Sequence, residues 1–163
     1  MGASSAFPAA APGANVDITS LKGTTTNDSA AAGKIGEIIE STVLVGSAVS
    51  LTTATAADVT SISLTAGDWD VWGNVGLSLN AATTHTRFDA WISATSATFP
   101  TPPNGGAISG IRATMETGIA QFLSTGTTRV SIALTTTYYL SARCSFAVNT
   151  LAAYGYIGAR RVR

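Results

Sequence analysis

The residues that could carry chemistry in this chain are few and scattered. The single histidine, His85, lies between Thr84 and Thr86 at a predicted junction of loop and strand. A catalytic triad places a histidine beside a nucleophile and a carboxylate, and a metal site normally needs several ligands. One histidine in this context predicts an exposed loop side chain. The alternative is a metal or anion site that three copies share around a threefold axis.

Two carboxylates, Asp68 and Asp70, flank Trp69. On an extended strand alternate residues share a face, which places these carboxylates about 7 Å apart. Such a pair could hold a cation or act as acid and base. A solvated pair beside a turn is the commoner arrangement, and no third carboxylate lies nearby in the sequence. The pair alone therefore predicts no catalytic centre.

The lone cysteine, Cys144, excludes a disulfide or a cysteine-based zinc site within one chain. It alternates with Leu140 and Phe146, which predicts a buried thiol that packs as a small hydrophobe. Phosphate-loop, nucleophile-elbow, His-Glu-x-x-His and calcium-loop motifs are all missing from the sequence. We therefore predict a protein that is not an enzyme and that binds no cofactor or metal.

Charge is scarce and unevenly spread. Charged residues make up 11% of the chain, against about 25% in typical proteins, and the net charge is zero. Seven of the nine acids lie in the first 70 residues, whereas every arginine follows from Arg87 onward. A neutral chain argues against nucleic acid as the main partner. No apolar run reaches membrane-spanning length, so we expect no membrane partner either.

Strict alternation of apolar and polar residues predicts strands along most of the chain. In Asp58–Asn80 we expect two strands joined as a hairpin by a tight turn, with Trp72 on the polar side of the second. The predicted core-facing residues of that second strand are Trp69, Val71, Val75, Leu77 and Leu79. Eight or nine such strands predict an all-β antiparallel sandwich, with a jelly roll favoured over an immunoglobulin-like arrangement.

Three details of this sandwich are also open to test. We expect Ala94–Gly110, which contains three prolines, to be the longest loop. Ile111–Leu123 fits either a strand or a short helix. Val130, Ile132 and Leu134 are predicted to share one inward face.

The ends of a jelly roll share a sheet, and this suggests an origin for the charge split. Glu37 and Glu40 lie on the first predicted strand, and Arg160 and Arg161 lie on the last. We therefore expect ion pairs between these residues, within one chain or between subunits. Such pairing is favoured over a role for the arginine tail in binding nucleic acid.

Composition divides the chain into an arm, residues 1–33, and a sandwich domain, residues 34–163. The arm is rich in Ala, Gly, Ser, Thr and Pro, and alone it cannot bury enough surface to offset the entropy of ordering. We expect it to lie along a neighbouring subunit, with Phe7, Ile18 and Leu21 as anchors.

Two tryptophans, Trp72 and Trp91, sit opposite the core side of their strands. Outward tryptophans either stack on sugars or anchor protein interfaces. Because few charged residues surround them, we favour a subunit interface over a glycan site.

Four stretches, one of them inside another, carry a resemblance to known families. Ala14–Gly23, ANVDITSLKG, resembles a segment near the start of tail-fibre and virion-appendage proteins of tailed bacteriophages. Ser47–Val75 and Ala153–Arg163 are similar to a family of small phage structural proteins. Thr65–Trp69, Thr-Ala-Gly-Asp-Trp before a long alternating strand, is similar to the central strand of tumour-necrosis-factor-like and complement-C1q-like jelly rolls.

These resemblances imply a homotrimeric virion component. Because the sequence shows no signal-peptide pattern, we expect it to be made in the host cytoplasm. One placement is a capsid decoration, or cement, protein whose arm clasps the major capsid protein or a neighbouring decoration subunit. The other is a tail-fibre or receptor-binding protein that recognises a host surface glycan through its loops and outward tryptophans. Receptor-binding fibres are usually longer, with repeats or coiled coil, which this chain lacks. Decoration is therefore favoured, and a hydrolase ranks third.

Overall fold

A computed structural model describes residues 25–79, 83–101, 107–114, 120–147 and 149–163. The predicted arm anchors Phe7, Ile18 and Leu21 lie outside these residues. Regular structure in the described part consists of nine strands and one 3-10 turn, Val45–Ser47. The strands are β1 Ile38–Val43, β2 Val49–Ser50, β3 Ala57–Leu64, β4 Gly67–Leu79, β5 Thr84–Ser93, β6 Ile108–Ile111, β7 Phe122–Ile132, β8 Thr136–Ala147 and β9 Leu151–Arg161.

These strands form two packed antiparallel sheets, which confirms the predicted all-β sandwich. The β4 sheet has the order β1-β9-β4-β7, and the short β2 also pairs with β9. The β5 sheet has the order β3-β8-β5-β6. This order is that of a jelly roll, in which the first and last long strands are neighbours. β1 and β9 pair over six residues, so the ends of the domain share a sheet as expected.

The predicted hairpin between β3 and β4 is wrong, although both strands are present. β3 pairs with β8 in one sheet, whereas β4 lies between β9 and β7 in the other. The link at Thr65 and Ala66 therefore crosses between sheets, and it continues into Gly67 at φ +140°, which L side chains rarely adopt. Alternation identifies a strand and its buried face, but it does not specify the strand's partner.

The core lies between the sheets and follows the predicted alternation. In β4, Trp69, Val71, Val75 and Leu77 are all buried, and the side chain of Leu79 lies outside the described residues. The other central members are Ile62, Leu64, Phe88, Ala90, Ile92, Leu140, Ala142, Cys144, Leu151, Ala153, Ile157 and Ala159. Burial of apolar surface on this scale is the main term that stabilises the sandwich.

The strand bounds correct two finer predictions and decide between the alternatives of a third. Leu134 is 78% exposed in the turn between β7 and β8, so the inward face of β7 ends at Ile132. β6 begins at Ile108, which shortens the predicted loop Ala94–Gly110. Ile111 ends β6 and Phe122 begins β7, so strand rather than helix occupies both described ends of the ambiguous segment.

Candidate functional site

The outer face of the β4 sheet, which points away from the β5 sheet, carries four neighbouring aromatic side chains. Trp72 is only partly buried there, and Tyr156 and Tyr154 follow on the adjacent strand β9. Phe122 of β7 packs edge-on against Tyr154, with ring centroids 6.1 Å apart. We call Trp72, Phe122, Tyr154 and Tyr156 the aromatic face.

Glycines form the floor beneath these rings. Gly158 lies opposite Trp72 across the β4–β9 pair, and Gly76 lies opposite Tyr154. A Cβ at Gly158 would come within 2.9 Å of the Trp72 ring, and one at Gly76 within 2.7 Å of the Tyr154 ring. The rings can therefore lie close to the backbone only because these floor positions have no side chain.

A groove of about 770 Å³ opens between the aromatic face and the turn that follows β1. Its walls include Leu44, Val45 and Phe122, which are 70%, 59% and 64% exposed. The described residues that line the groove are all uncharged. Exposed apolar side chains gathered in one place are typical of a surface that another protein covers.

The rim of the aromatic face is polar. Tyr156 donates its hydroxyl hydrogen to Glu40 Oε1 at 2.9 Å. Burial and the neighbouring Glu40 carboxylate raise the pKa of Tyr156 above its usual value. The expected ion pair of Glu40 with an arginine is absent among the described residues, because Glu40 lies opposite Gly158 on β9. Arg160 instead lies opposite Asp70 on β4 and approaches it at 3.8 Å.

The expectation that Trp91 is exposed is wrong. It lies on the outer face of the β5 sheet, as the alternation indicates, yet it is fully buried. Its Nε1 donates to the carbonyl oxygen of Thr98 at 2.9 Å, and Phe99 packs against its ring at 5.1 Å. The loop after β5 thus folds back over Trp91. Alternation sets the face of the sheet, and the loop decides what is exposed.

The carboxylates that suggested a cation site are occupied by arginines. Asp68 is buried and accepts hydrogen bonds from Arg129, at 3.0 Å, and from Arg163. Hydrogen bonding from Ser131 and the contacts with Arg163 and Arg129 lower the pKa of Asp68 to about 2. Among the described residues no group of three or more metal-ligating side chains is present.

The pairing of the domain's ends, by contrast, produces the expected contact of Glu37 with Arg161. Arg161 Nε donates to Glu37 Oε2 at 2.8 Å, and both side chains are nearly buried. The same guanidinium donates to the Ala66 carbonyl oxygen at 2.9 Å and lies 4.2 Å from the centroid of the Trp69 ring. Burial alone would raise the pKa of Glu37, but the hydrogen bonds from Arg161 and the Gly33 amide outweigh it and lower the pKa.

A third charged cluster lies on the outer face of the β5 sheet around Asp89. This carboxylate is 1% exposed and binds Arg87 at 2.6 Å, Arg143 at 2.9 Å, and Arg112. Sequence reasoning missed the cluster, and its only local signal was the spacing of Arg87 and Asp89 on one strand. When this cluster is counted with the contacts of Asp68, Asp70 and Glu37, all seven arginines of the chain have a carboxylate partner.

His85 is a further correction, because it is 1% exposed rather than an exposed loop residue. It lies in β5 opposite Phe146, beyond a register shift between His85 and Arg87. This irregularity turns His85 to the same side of the sheet as Phe88. Neither ring nitrogen has a hydrogen-bond partner among the described residues. Burial lowers the pKa of His85 below its usual value.

Acidification from pH 7.5 to pH 5 is therefore expected to destabilise the fold through His85. Its pKa is lower in the folded chain than in the unfolded one, so the unfolded state takes up the proton first. Stability is complete above about pH 6.5 and falls below it, by at most about 1.4 kcal/mol per pH unit. Urea unfolding of wild type and His85→Leu at both pH values measures the effect. The variant should lose less stability than wild type, and equal losses would contradict this account.

The buried thiol of Cys144 matches its prediction. Cys144 is fully buried, and burial together with the nearby Asp89 carboxylate raises the pKa of Cys144 to about 12. A thiol with such a pKa stays protonated at neutral pH and is a poor nucleophile.

Comparison with known proteins adds no relative to this picture. The chain matches no protein-family model, no curated protein and no solved structure. Within its described part, no helix is long and apolar enough to cross a membrane.

Proposed function

We propose that this protein is a structural component of a tailed-bacteriophage virion, a capsid decoration protein that assembles as a homotrimer on the head and stabilises it. The observation that carries the proposal is the uncharged aromatic face with its adjoining groove. Burying such a surface against a second protein removes apolar area from water, which lowers the free energy of the complex. We assign it to contact between copies of the chain.

The distribution of charge on the outer face of the β4 sheet supports this assignment. One end of the face holds Asp68, Asp70 and their arginines, while the aromatic end holds Trp72 and its neighbours. Protein interfaces combine a desolvated aromatic core with a polar rim in the same way. Glu40, bound to Tyr156, lies at that rim.

The resemblance of the chain to small phage structural proteins supports the location in a virion. The separate resemblance of Thr65–Trp69 to tumour-necrosis-factor-like and complement-C1q-like jelly rolls supports trimers. In such an assembly the arm, residues 1–33, clasps a capsid subunit or a neighbouring decoration subunit. The runner-up is a tail-fibre or receptor-binding protein that recognises a host glycan. The burial of Trp91 removes one of the two tryptophans on which both the subunit interface and the glycan role relied, and leaves Trp72.

Replacing Trp72 by alanine is expected to weaken assembly more than folding. Truncating a central interface tryptophan typically costs about 2 kcal/mol or more of binding energy, which corresponds to a dissociation constant about 30-fold higher. Sedimentation velocity over a range of concentrations measures assembly, and thermal unfolding measures the fold. Tyr139→Ala, a partly exposed ring on the outer face of the β5 sheet, is the matched control and should leave assembly unchanged.

A stable wild-type monomer, or normal oligomers of Trp72→Ala, would overturn the assignment of the aromatic face. Cryo-electron microscopy of virions that carry the protein tests the location separately. Density on the capsid faces supports decoration. Density confined to the tail refutes decoration and favours the receptor-binding role.

A further inference from the structure

The cluster around Asp89 holds more positive than negative charge. One buried carboxylate receives three guanidinium groups, from Arg87, Arg112 and Arg143. Among the described residues no second carboxylate lies within ion-pair distance of these arginines. Another acid on this face, Asp58, accepts hydrogen bonds from the hydroxyl groups of Ser96 and Ser141. In the described part of the chain, the cluster therefore sets three guanidinium groups against one carboxylate.

Two of these arginines come from neighbouring segments of the chain. Phe88 of β5 pairs with Ile111 of β6 in antiparallel register. Arg87 precedes Phe88 in β5, and Arg112 follows Ile111, the last residue of β6, so both guanidinium groups meet at Asp89. Like charges held this close repel each other, and one carboxylate shared among three guanidinium groups offsets only part of that repulsion. A bound anion between the two guanidiniums would remove this repulsion.

The third arginine, Arg143, is held in place by Asp89 and by an aromatic ring. Arg143 donates twice to Asp89 Oδ2, from Nε at 3.2 Å and from a terminal nitrogen at 2.9 Å. Its guanidinium also lies 5.0 Å from the centroid of the Phe99 ring, and its side chain is 21% exposed. Asp89 and Arg143 thus form a fixed base beneath the two more exposed arginines.

Arg87 and Arg112 retain hydrogen-bond donors that face solvent. Arg87 uses Nε on Asp89, and in the described part of the chain its two terminal nitrogens bind nothing. Arg112 uses one terminal nitrogen on Asp89 and on the Ile111 carbonyl oxygen. Their side chains are 34% and 54% exposed. Gly110 makes room for this arrangement, because a Cβ there would lie 2.6 Å from Asp89 Oδ1 and 2.9 Å from an Arg112 nitrogen.

We propose that this cluster is an oxyanion-binding site, in which Arg87 and Arg112 together bind a phosphate, sulfate or carboxylate group above Asp89. Arginine presents its N–H groups as a planar fork that matches two oxygens of such a group. The three ligands share this chemistry. They differ in whether the group is a free ion or part of a larger anionic molecule. The site lies on the sheet opposite the aromatic face and does not depend on the proposed role in a virion.

Titration of the protein with inorganic phosphate, followed by nuclear magnetic resonance at constant ionic strength, tests the site. The largest shifts are expected at the Nε–Hε groups of Arg87 and Arg112. Arg87→Gln and Arg112→Gln should each weaken phosphate binding about tenfold, since each removes one charge-assisted contact. Asp89 keeps both hydrogen bonds from Arg143 in either variant, and thermal unfolding confirms that the variants are folded.

Arg129→Gln is the matched control for this experiment. Arg129 is 57% exposed and also pairs with a buried aspartate, Asp68, on the other sheet. Its loss should leave phosphate binding unchanged. Equal weakening by all three substitutions, or unchanged titration in Arg87→Gln and Arg112→Gln, would overturn the proposal. Phosphate also acts on proteins nonspecifically. The decisive quantity is therefore the difference in phosphate affinity between Arg129→Gln and the two variants of the site.

The source of the anion is settled by comparing ligands on the wild-type protein. Inorganic phosphate, inorganic sulfate, methyl phosphate and a glucuronate oligosaccharide are titrated under the same conditions. Tightest binding of an inorganic ion supports a site for a free anion. Tighter binding of the oligosaccharide, lost in Arg87→Gln, supports a site for the acidic group of a sugar chain. Failure of all four to bind would overturn the site.

Discussion

Replacing Asp89 by asparagine is expected to lower the free energy of unfolding by about 3 kcal/mol, because removing one member of a buried charge network leaves its partners uncompensated. Burial alone would raise the pKa of Asp89. The hydrogen bonds from Arg143, Arg87 and Arg112 outweigh burial and lower it, so the carboxylate is charged at neutral pH. Asparagine keeps the shape of the side chain and removes the charge. In a domain of this size, the melting temperature should fall by about 10 °C.

Asp70→Asn is the matched control for Asp89→Asn. Asp70 is also a strand aspartate on an outer face, but its side chain is 31% exposed and it has a single arginine partner at 3.8 Å. Pairs of this kind contribute about 0–1 kcal/mol. Chemical denaturation of the two variants at pH 7 gives the comparison. Equal losses of stability in the two variants would show that the buried Asp89 contributes no more to the free energy of unfolding than the exposed Asp70.

Replacing Trp69 by alanine should lower the free energy of unfolding by about 4 kcal/mol, as large-to-small changes of buried aromatic residues do. Trp69 is fully buried, and its Nε1 donates to the Thr65 carbonyl oxygen at 2.9 Å. The Arg161 guanidinium stacks on its ring. The substitution would therefore leave a cavity and also remove the support of the buried ion pair between Arg161 and Glu37.

One further variant separates the contributions of Trp69, and a second serves as a surface control. Trp69→Phe keeps much of the ring but loses the hydrogen bond to Thr65, and we expect a loss of about 1–2 kcal/mol. Leu134→Ala removes an apolar side chain that is 78% exposed, and it should change stability by no more than about 0.5 kcal/mol. A small effect of Trp69→Ala in urea denaturation would contradict the central position of Trp69 in the core.

The strands and their buried faces could be predicted from the sequence because alternation reports burial residue by residue. Trp69, Val71, Val75 and Leu77 alternate with polar residues, and all four face the core. Pairing is a different matter, since β3 and β4 follow each other in sequence yet lie in separate sheets. Contacts between distant strands depend on how the whole chain closes, which no local pattern encodes.

The ion pairs also divide into what the sequence predicted and what strand pairing decided. The separation of acids from arginines along the chain correctly predicted that the first and last strands pair, and Glu37 contacts Arg161. The register of β9 then directs Arg160 to Asp70 and leaves Glu40 with Tyr156. If β9 were shifted by one residue along its neighbours, each of its side chains would face the other side of the sheet and these contacts would be lost. The register is set by the packed core rather than by the charges.

The sequence by itself determined the all-β sandwich, the core side of β4, the buried thiol of Cys144 and the position of Trp72 on an outer face. Only the tertiary structure decided which outward residues meet solvent. Trp91 lies beneath a loop, His85 turns inward at a strand irregularity, and Asp89 gathers three arginines. Exposure and charge clustering arise from segments far apart in sequence. Periodicity is a property of a single strand, so it could not reveal them.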